Sequence, residues 1–148
     1  MEIQTETRQR WMATLAKSNL NQLEAKIAEI GTLPEYSFIR PPEIGLTMVR
    51  GRAGGTGQIF NLGEMTITRC TVKIEEVIGF GYVGGRSYRH AELAALCDGL
   101  MQIPEWHDIV QSIVIEFLQA EAKRKKEVQE SQTEATKVNF FTLRRGDE

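Results

Sequence analysis

The sequence predicts an α+β fold with a small antiparallel sheet of about four strands, helices at the N-terminus and on one face, and a protruding C-terminal helical arm. Three observations support this prediction. Apolar residues recur at helical spacing before residue 31, alternate with polar residues in stretches between 36 and 83, and return to helical spacing from residue 93. Short glycine-rich links join the alternating stretches, which favours antiparallel pairing.

The N-terminal segment is predicted to form two short helices. The first apolar set follows Thr5 and Thr7, either of which could cap the helix, and the second ends at Gly31. The two sets comprise Trp11, Met12, Leu15 and Ala16, then Leu20, Leu23, Ile27 and Ile30.

Residues 34–83 are predicted to form the sheet. Pro34, Pro41 and Pro42 exclude a continuing helix, and residues 36–39 suggest an extended edge segment. Alternating residues at 44–49 and 69–74 indicate two half-buried strands. VIGFGYV, residues 77–83, indicates a further strand, whose two internal glycines permit close backbone packing.

The next segments are predicted to be helical again. Leu93, Leu96, Cys97, Leu100 and Met101 make an apolar stripe suited to packing on the sheet. A second apolar set runs from residue 106 to 118, although its β-branched SIVIEFL stretch could instead leave the helix and extend.

The C-terminal segment, residues 119–148, is predicted to be an arm. Residues 119–136 favour a helix but contain one large apolar side chain, Val128. A helix over residues 106–136 would span about 45 Å, against a radius of gyration of roughly 15 Å for a compact chain. One interpretation is a solvated charged helix. We favour a partner-binding arm, because the tail carries side chains suited to docking: Phe140, Phe141, Leu143 and Arg144.

The composition fits one domain, residues 1–148, of a soluble globular protein. The net charge is -2, with 41% hydrophobic and 26% charged residues, so any anion site must be local. Cys70 and Cys97 form no CxxC pair, which argues against a disulfide framework, a zinc site or an iron–sulfur cluster and fits a reducing cytoplasm. No signal-peptide core or apolar run of ~18 residues occurs, so neither secretion nor membrane spanning is supported.

A glycine- and arginine-rich stretch between the first two strands is the first candidate anion site. RGRAGGTG lacks the GK[ST] ending of a P-loop, and the strand that follows excludes a dinucleotide-binding turn, which needs a helix. A nest of backbone N–H groups with added arginine charge and a simple flexible turn both remain open. The residues concerned are Arg50, Arg52, Gly54, Gly55, Thr56 and Gly57.

The second candidate is GGRSYRHAE, residues 84–92, at the start of the helix predicted to begin near Tyr88. Gly85 or Ser87 could cap this helix, whose free N–H groups would lie beside Arg86, Arg89 and His90 and suit an anion. Solvated arginines and a histidine that decorates the first turn are the alternative. HAE resembles the HxE element of zinc deaminases, but the PCxxC ligands are absent. Both cysteines are placed as buried hydrophobes, and His107 has no identifiable partner.

Four blocks of the sequence resemble the PhnG family, a subunit of the bacterial carbon–phosphorus lyase machinery. They occur in order and cover nearly the whole chain, with the weakest correspondence in residues 103–130. The blocks are TRQRWM, IRPPEIGLTMVRGRAGGTGQIFNLGEMTITRC, GYVGGRSYRHAELAALCDGLMQ and ATKVNFFTLRRGD.

The resemblance implies a cytoplasmic role in scavenging phosphorus from phosphonates, in a core complex with PhnH, PhnI and PhnJ. The implied reaction takes MgATP and an alkylphosphonate, displaces adenine at the ribose C1′ and yields ribose 1-methylphosphonate 5-triphosphate. PhnI is the nucleosidase-like subunit, and PhnG redirects attack from water to phosphonate. PhnJ performs the iron–sulfur radical chemistry, so no cofactor is expected on this chain alone. The arm would form a helix and strand that intertwine with PhnI.

Three hypotheses therefore remain open. We favour a noncatalytic but obligatory subunit of the synthase, with the two candidate anion sites facing substrate or completing an interface. The second is a chain with its own nucleosidase-like site around Arg86, His90 and Glu92. The third is an unrelated nucleotide- or RNA-binding module, which the net charge and the lack of aromatics among the basic residues disfavour.

Overall fold

The computed structural model describes residues 3–52, 57 and 59–146, with only the backbone described for 52, 60, 61 and 134–146. The elements in chain order are helices α1 (Thr5–Lys17) and α2 (Leu20–Ile30), strands β1 (Ser37–Arg52), β2 (Ile59–Ile74) and β3 (Val77–Gly84), helices α3 (Tyr88–Met101) and α4 (Pro104–Val110), a π turn (Gln111–Ile115) and helix α5 (Glu116–Gly146). The predicted α+β class is confirmed.

The sheet is antiparallel and has three strands in the order β1-β2-β3, close to the predicted count of about four. The predicted edge segment and the strand at 44–49 are one strand, β1. Pro41 and Pro42 do not interrupt it, because β1 lies at the edge of the sheet and its register against β2 shifts between Phe38 and Arg40 and between Arg40 and Glu43.

Helix α3 is the centre of the fold. The helix packs on the sheet as predicted, but through a different side, since Ala91 and Ala95 are the residues of α3 that lie closest to the backbone of β3. At about 100° per residue, Leu100 of the predicted stripe lies on the opposite side of the helix. Residues 90–101 are nevertheless all buried except Glu92, because the sheet covers one side of α3 and α1, α2 and α4 contact other parts of it. The predicted orientation of the stripe is therefore wrong, because the sequence does not show how many elements surround this helix.

Helices α1 and α2 confirm the prediction of two N-terminal helices. They bury Trp11 and Leu15, and Leu23 and Ile27. The predicted threonine cap is wrong, since α1 begins at Thr5 and is preceded by Gln4, whose side chain makes no capping hydrogen bond.

The chain from Pro104 to Gly146 is helical throughout, with a π turn between α4 and α5. The SIVIEFL stretch therefore does not extend. It forms the π turn and the start of α5, and it packs Val114, Ile115 and Leu118 into the core. Beyond Leu118 the described side chains are exposed, including Val128 at 48%, except for the half-buried Glu121, which accepts a hydrogen bond from Gln22 of α2. Helix α5 thus leaves the core, as predicted, although its final part is helical and not the strand implied for the assembled complex.

No helix in the described part of the chain is both long enough and apolar enough to cross a bilayer.

Candidate functional site

The first two strands extend past the end of β3 as a two-stranded ribbon. Gly84 at the end of β3 pairs with Ile67, whereas β1 and β2 remain paired as far as Arg52 and Ile59. We call residues 46–52 and 59–66 the hairpin arm. Several large apolar side chains on it are exposed: Leu46 at 68%, Leu62 at 63%, Ile59 at 54%, Met48 at 46% and Met65 at 42%.

The described residues of the glycine- and arginine-rich stretch lie at the end of the hairpin arm that is remote from β3. Arg50 is exposed and pairs through its backbone with Asn61, and Arg52 is the last residue of β1. Gly57 lies in a bend and is half-buried. Gly54, Gly55 and Thr56 lie outside the described residues. Among the described residues Arg50 has no ion-pair partner, so its charge is available to a ligand or another protein.

The start of α3 is attached to the base of the hairpin arm. Gly85, in a left-handed conformation with φ 87°, donates its N–H to the carbonyl oxygen of Thr66 at 2.8 Å. The Thr68 hydroxyl donates to Gly85 O at 2.7 Å and accepts from the Ser87 N–H at 3.1 Å. These bonds fix the loop that carries Arg86, whose side chain is exposed.

Ser87 caps α3, as predicted. Its side chain accepts a hydrogen bond from the His90 N–H at 3.3 Å, which uses one of the free N–H groups at this helix end. The end is therefore partly occupied by the chain's own hydroxyl. It offers an incoming anion fewer donors than an uncapped helix would.

His90 is turned into the protein. Its ring Nε2–H donates to Leu15 O at 2.9 Å, and the Ser18 hydroxyl lies 3.3 Å from the same nitrogen. The residue is buried. This geometry suits His90 for joining α3 to the end of α1 better than for contacting a substrate anion.

Glu92 belongs to a different cluster. The Tyr36 hydroxyl donates to its carboxylate, and Arg89 lies 3.4 Å from the same oxygen. The pKa of Tyr36 is raised to about 12, mainly by burial and secondly by this hydrogen bond to Glu92. His90 and Glu92 are two positions apart on a helix and do not face each other. The structure therefore does not bring Arg86, His90 and Glu92 together as one catalytic group.

The two cysteines are free and buried. Burial raises the pKa of the Cys70 thiol to about 11 and that of Cys97 to about 12. Because the thiolate is the nucleophilic form, neither side chain is suited to catalysis near neutral pH. Among the described residues there is no group of three or more His, Cys, Asp or Glu side chains placed to hold a metal ion.

The two candidate anion sites are separated along the hairpin arm. Gly85 bonds to Thr66, whereas Arg50 pairs with Asn61, which is five residues before Thr66 in β2. The backbones of the two sites are therefore roughly 17 Å apart. Their backbone N–H groups cannot both contact one small anion.

The chain matches the family model described as phosphonate metabolism protein PhnG over residues 6–146. The chain belongs to the PhnG family. One relative is the alpha-D-ribose 1-methylphosphonate 5-triphosphate synthase subunit PhnG of Rhizobium meliloti strain 1021, which is 39% identical over 145 residues, 95% of this chain and 90% of that protein. The PhnG match includes the hairpin arm, the start of α3 and all of α5.

One buried polar cluster of this PhnG family member was not predicted from the sequence. Asp98 is fully buried and accepts hydrogen bonds from Arg8 Nη2 at 2.8 Å, Trp11 Nε1 at 2.7 Å and the Phe80 N–H at 2.9 Å. The sequence feature that could have indicated the cluster is an acidic residue, Asp98, among the apolar residues of α3. His107 also has partners, since its Nδ1–H donates to Met101 O at 2.7 Å and its ring packs against Trp11.

The predicted partner-binding residues lie near the end of α5. Phe140, Phe141, Leu143 and Arg144 are within the helical part of the backbone, and their side chains lie outside what the structure describes. Their role stays a prediction.

Proposed function

We propose that this chain is a subunit of a synthase that transfers the ribose triphosphate of MgATP onto an alkylphosphonate with release of adenine. Membership of the PhnG family carries the proposal, supported by the 39% identity to a synthase subunit over 95% of the chain. In this proposal the chain acts in the cytoplasm directly with PhnI, in a core complex with PhnH and PhnJ.

The chain itself is noncatalytic in this proposal, and MgATP is a substrate of the assembled complex. Among the described residues His90 faces α1 and Glu92 accepts from Tyr36, so no nucleophile is held beside a free general base. The thiols are buried and protonated near neutral pH. The chain alone binds no cofactor, and its contribution is to exclude water and orient the phosphonate.

In this proposal two groups of residues supply charge and backbone N–H groups to the anionic substrates. The first comprises Arg50, which is exposed, and Arg52, with Gly54, Gly55, Thr56 and Gly57, which follow them in the sequence. The second is the exposed Arg86 at the base of the hairpin arm. Guanidinium groups bind phosphate oxygens through paired hydrogen bonds. In this proposal His90 does not contact the substrate but holds the start of α3 in place through its hydrogen bond to Leu15.

Residues 119–148 form the partner-binding arm. The described side chains of α5 at 119–133 support this assignment, because they do not enter the core of this chain and Val128 is 48% exposed. In the proposal Phe140, Phe141, Leu143 and Arg144 contact PhnI.

The activity is tested with purified chain, purified PhnI and their mixture, each with MgATP and methylphosphonate. We expect no turnover by the chain alone, adenine release to water by PhnI alone, and phosphonate transfer by the pair, measured by chromatography of adenine and phosphorus NMR. Adenine release by the chain alone that His90→Ala abolishes would instead support a nucleosidase-like site. A salt-dependent mobility shift with RNA, without transfer by the pair, would support the nucleic-acid alternative.

The arm is tested by copurification with tagged PhnI. Deletion of residues 137–148 should separate the two proteins, because it removes both phenylalanines of the tail. Arg10→Ala, an exposed change on α1, serves as the control and should copurify normally. Normal copurification of the deleted chain would contradict a role for the arm.

A further inference from the structure

We propose that the free edge of β1, residues 44–49, pairs with an extended segment of the partner subunit, which adds a fourth strand to the sheet. This inference rests on the proposed function for the existence of a partner. It names the surface and the chemistry by which that partner is bound, and it concerns a part of the chain remote in sequence from the C-terminal arm.

The hydrogen bond from Gly85 N to Thr66 O fixes which backbone groups of β1 are free. It shows that the backbone groups of Thr66 point toward the β3 side of the sheet. Leu46 is opposite Thr66, so its own N–H and C=O point away from β2, toward the free edge. By alternation Ile44 and Met48 also present their backbone groups to the edge, whereas Gly45, Thr47 and Val49 face β2.

This edge lacks the features that protect edge strands in monomeric proteins. No charged residue and no proline occurs between Ile44 and Val49, and the two prolines of β1 lie before this stretch. Ile44, Leu46 and Met48 are 37%, 68% and 46% exposed. Six residues span about 20 Å, which matches a strand of ordinary length.

The hairpin arm is also apolar on both faces. Ile44 shares the face of Thr68 that α3 covers, and Leu46 and Met48 continue that face beyond the start of α3. Met65, opposite Thr47, lies on the other face and is 42% exposed. Two-stranded ribbons are marginally stable in water, so this arrangement favours a partner that completes the ribbon.

The charges favour a different subunit over a second copy of this chain. A copy would pair antiparallel about a two-fold axis, with paired residues on the same face. If the two-fold axis passed through Leu46, Arg50 would lie opposite Pro42 of the copy. If it passed through Thr47, Arg50 would lie opposite Ile44 of the copy. Neither arrangement places an acidic residue opposite Arg50. An incoming segment with alternating apolar residues and one carboxylate opposite Arg50 would satisfy both the edge and the charge.

The direct test is residue-resolved amide hydrogen exchange on the chain alone and on its complex with PhnI. The amides of Ile44, Leu46 and Met48 should exchange rapidly in the chain alone and at least about 10-fold more slowly in the complex. The amides of Gly45, Thr47 and Val49 already face β2 and provide an internal comparison. Unchanged exchange at the three edge amides would overturn the proposal.

A pair of variants separates the backbone from the side chain. Leu46→Pro removes the edge N–H without removing a bond to β2 and should weaken PhnI binding by about 10-fold or more. Leu46→Ala retains the N–H and should weaken binding much less. Arg10→Ala, an exposed change on α1 away from the hairpin arm, is the control. Met48→Pro provides a second edge variant if Leu46→Pro does not fold, as judged by circular dichroism.

The outcomes distinguish this inference from the proposed function. If the wild-type pair transfers phosphonate while Leu46→Pro and Met48→Pro bind PhnI as tightly as wild type, the edge proposal is wrong and the function stands. If the proline variants change only self-association in sedimentation, the edge binds a second copy and the proposal is also wrong. If the wild-type pair forms with protected edge amides but transfers nothing, the proposed activity fails and the edge pairing stands.

Discussion

Asp98 joins α1, β3 and α3 through one buried carboxylate. Arg8 and Trp11 come from α1, and the Phe80 N–H comes from β3. Hydrogen bonding to Asp98 raises the pKa of Arg8, whose guanidinium also lies over the Phe80 ring. Among the described residues no buried polar side-chain atom lacks a hydrogen-bond partner, so the burial of this polar cluster is tolerated.

Arg8→Ala should lower the free energy of unfolding by about 2–3 kcal/mol, because it leaves Asp98 buried without its cation. The effect is below that of a fully buried pair, since the Arg8 side chain is 30% exposed. Urea denaturation provides the measurement. Arg10→Ala, two residues further along α1 and exposed, should change the value by less than about 0.5 kcal/mol. Equal effects of the two changes would contradict a specific role for Arg8.

At the scale of elements, the packing of α3 on β3 depends on two glycines. A Cβ at Gly79 would lie 2.1 Å from Ala95 O, and a Cβ at Gly81 would lie 2.2 Å from Ala91 O. Both neighbours are backbone atoms of α3, so they cannot move aside as a side chain could. The strand and helix approach each other closely only because these positions have no side chain.

Gly79→Ala and Gly81→Ala should each destabilise the protein by about 3 kcal/mol or more, since the helix must move off the sheet. Gly45→Ala is the matched control. It lies in β1 with no atom within 4 Å of the added Cβ, and it should be nearly neutral. The comparison is made by denaturant midpoints, and a tolerated Gly81→Ala would show that α3 can shift at little cost.

The sequence predicted most elements because their signals are local. Apolar spacing located α1, α2 and α3, and alternation located the strands. Two features depended on tertiary context. The sequence placed an edge segment at 36–39 and a separate strand at 44–49, but β1 runs through both, because it is an edge strand and its register shifts at Pro41 and Pro42. The β-branched residues of the π turn suggested extension, but Val114 and Ile115 are held in the core by helical neighbours.

At the scale of the whole molecule, stability should fall at alkaline pH. Tyr36, Cys70 and Cys97 stay protonated in the folded state, with pKa values of about 12, 11 and 12. In the unfolded chain thiols ionise near 9 and tyrosine near 10. Above pH 9 the unfolded state therefore binds fewer protons than the folded state, and the free energy of unfolding decreases as pH rises from about 9 to about 12.

Urea denaturation at intervals from pH 8 to 11, under reducing conditions, measures this decline. Below pH 9 the contribution of all three groups to the free energy of unfolding is fully present. In that range these groups should therefore cause no change in the free energy of unfolding with pH. Cys70→Ala and Cys97→Ala together should make the decline between pH 9 and 10 shallower. An unchanged slope in the double variant would show that the thiols ionise equally in both states.

The candidate site was predictable only in part. The sequence located the arginines of the hairpin arm and the Ser87 cap, because glycines indicate a turn and a serine before a helix indicates an N-cap from local sequence alone. It could not show that His90 points toward Leu15 or that Glu92 binds Tyr36, since both contacts join residues more than fifty positions apart. The Asp98 cluster was missed for the same reason.

The long separation between Arg8 and Asp98 has a consequence for synthesis of the protein. These side chains are 90 residues apart, so α1 cannot take its final position until α3 has emerged from the ribosome. At about 5–20 residues per second, the first helix waits for several seconds or more. During that interval Trp11 and Leu15 are exposed on the nascent chain, where chaperones and proteases compete for them.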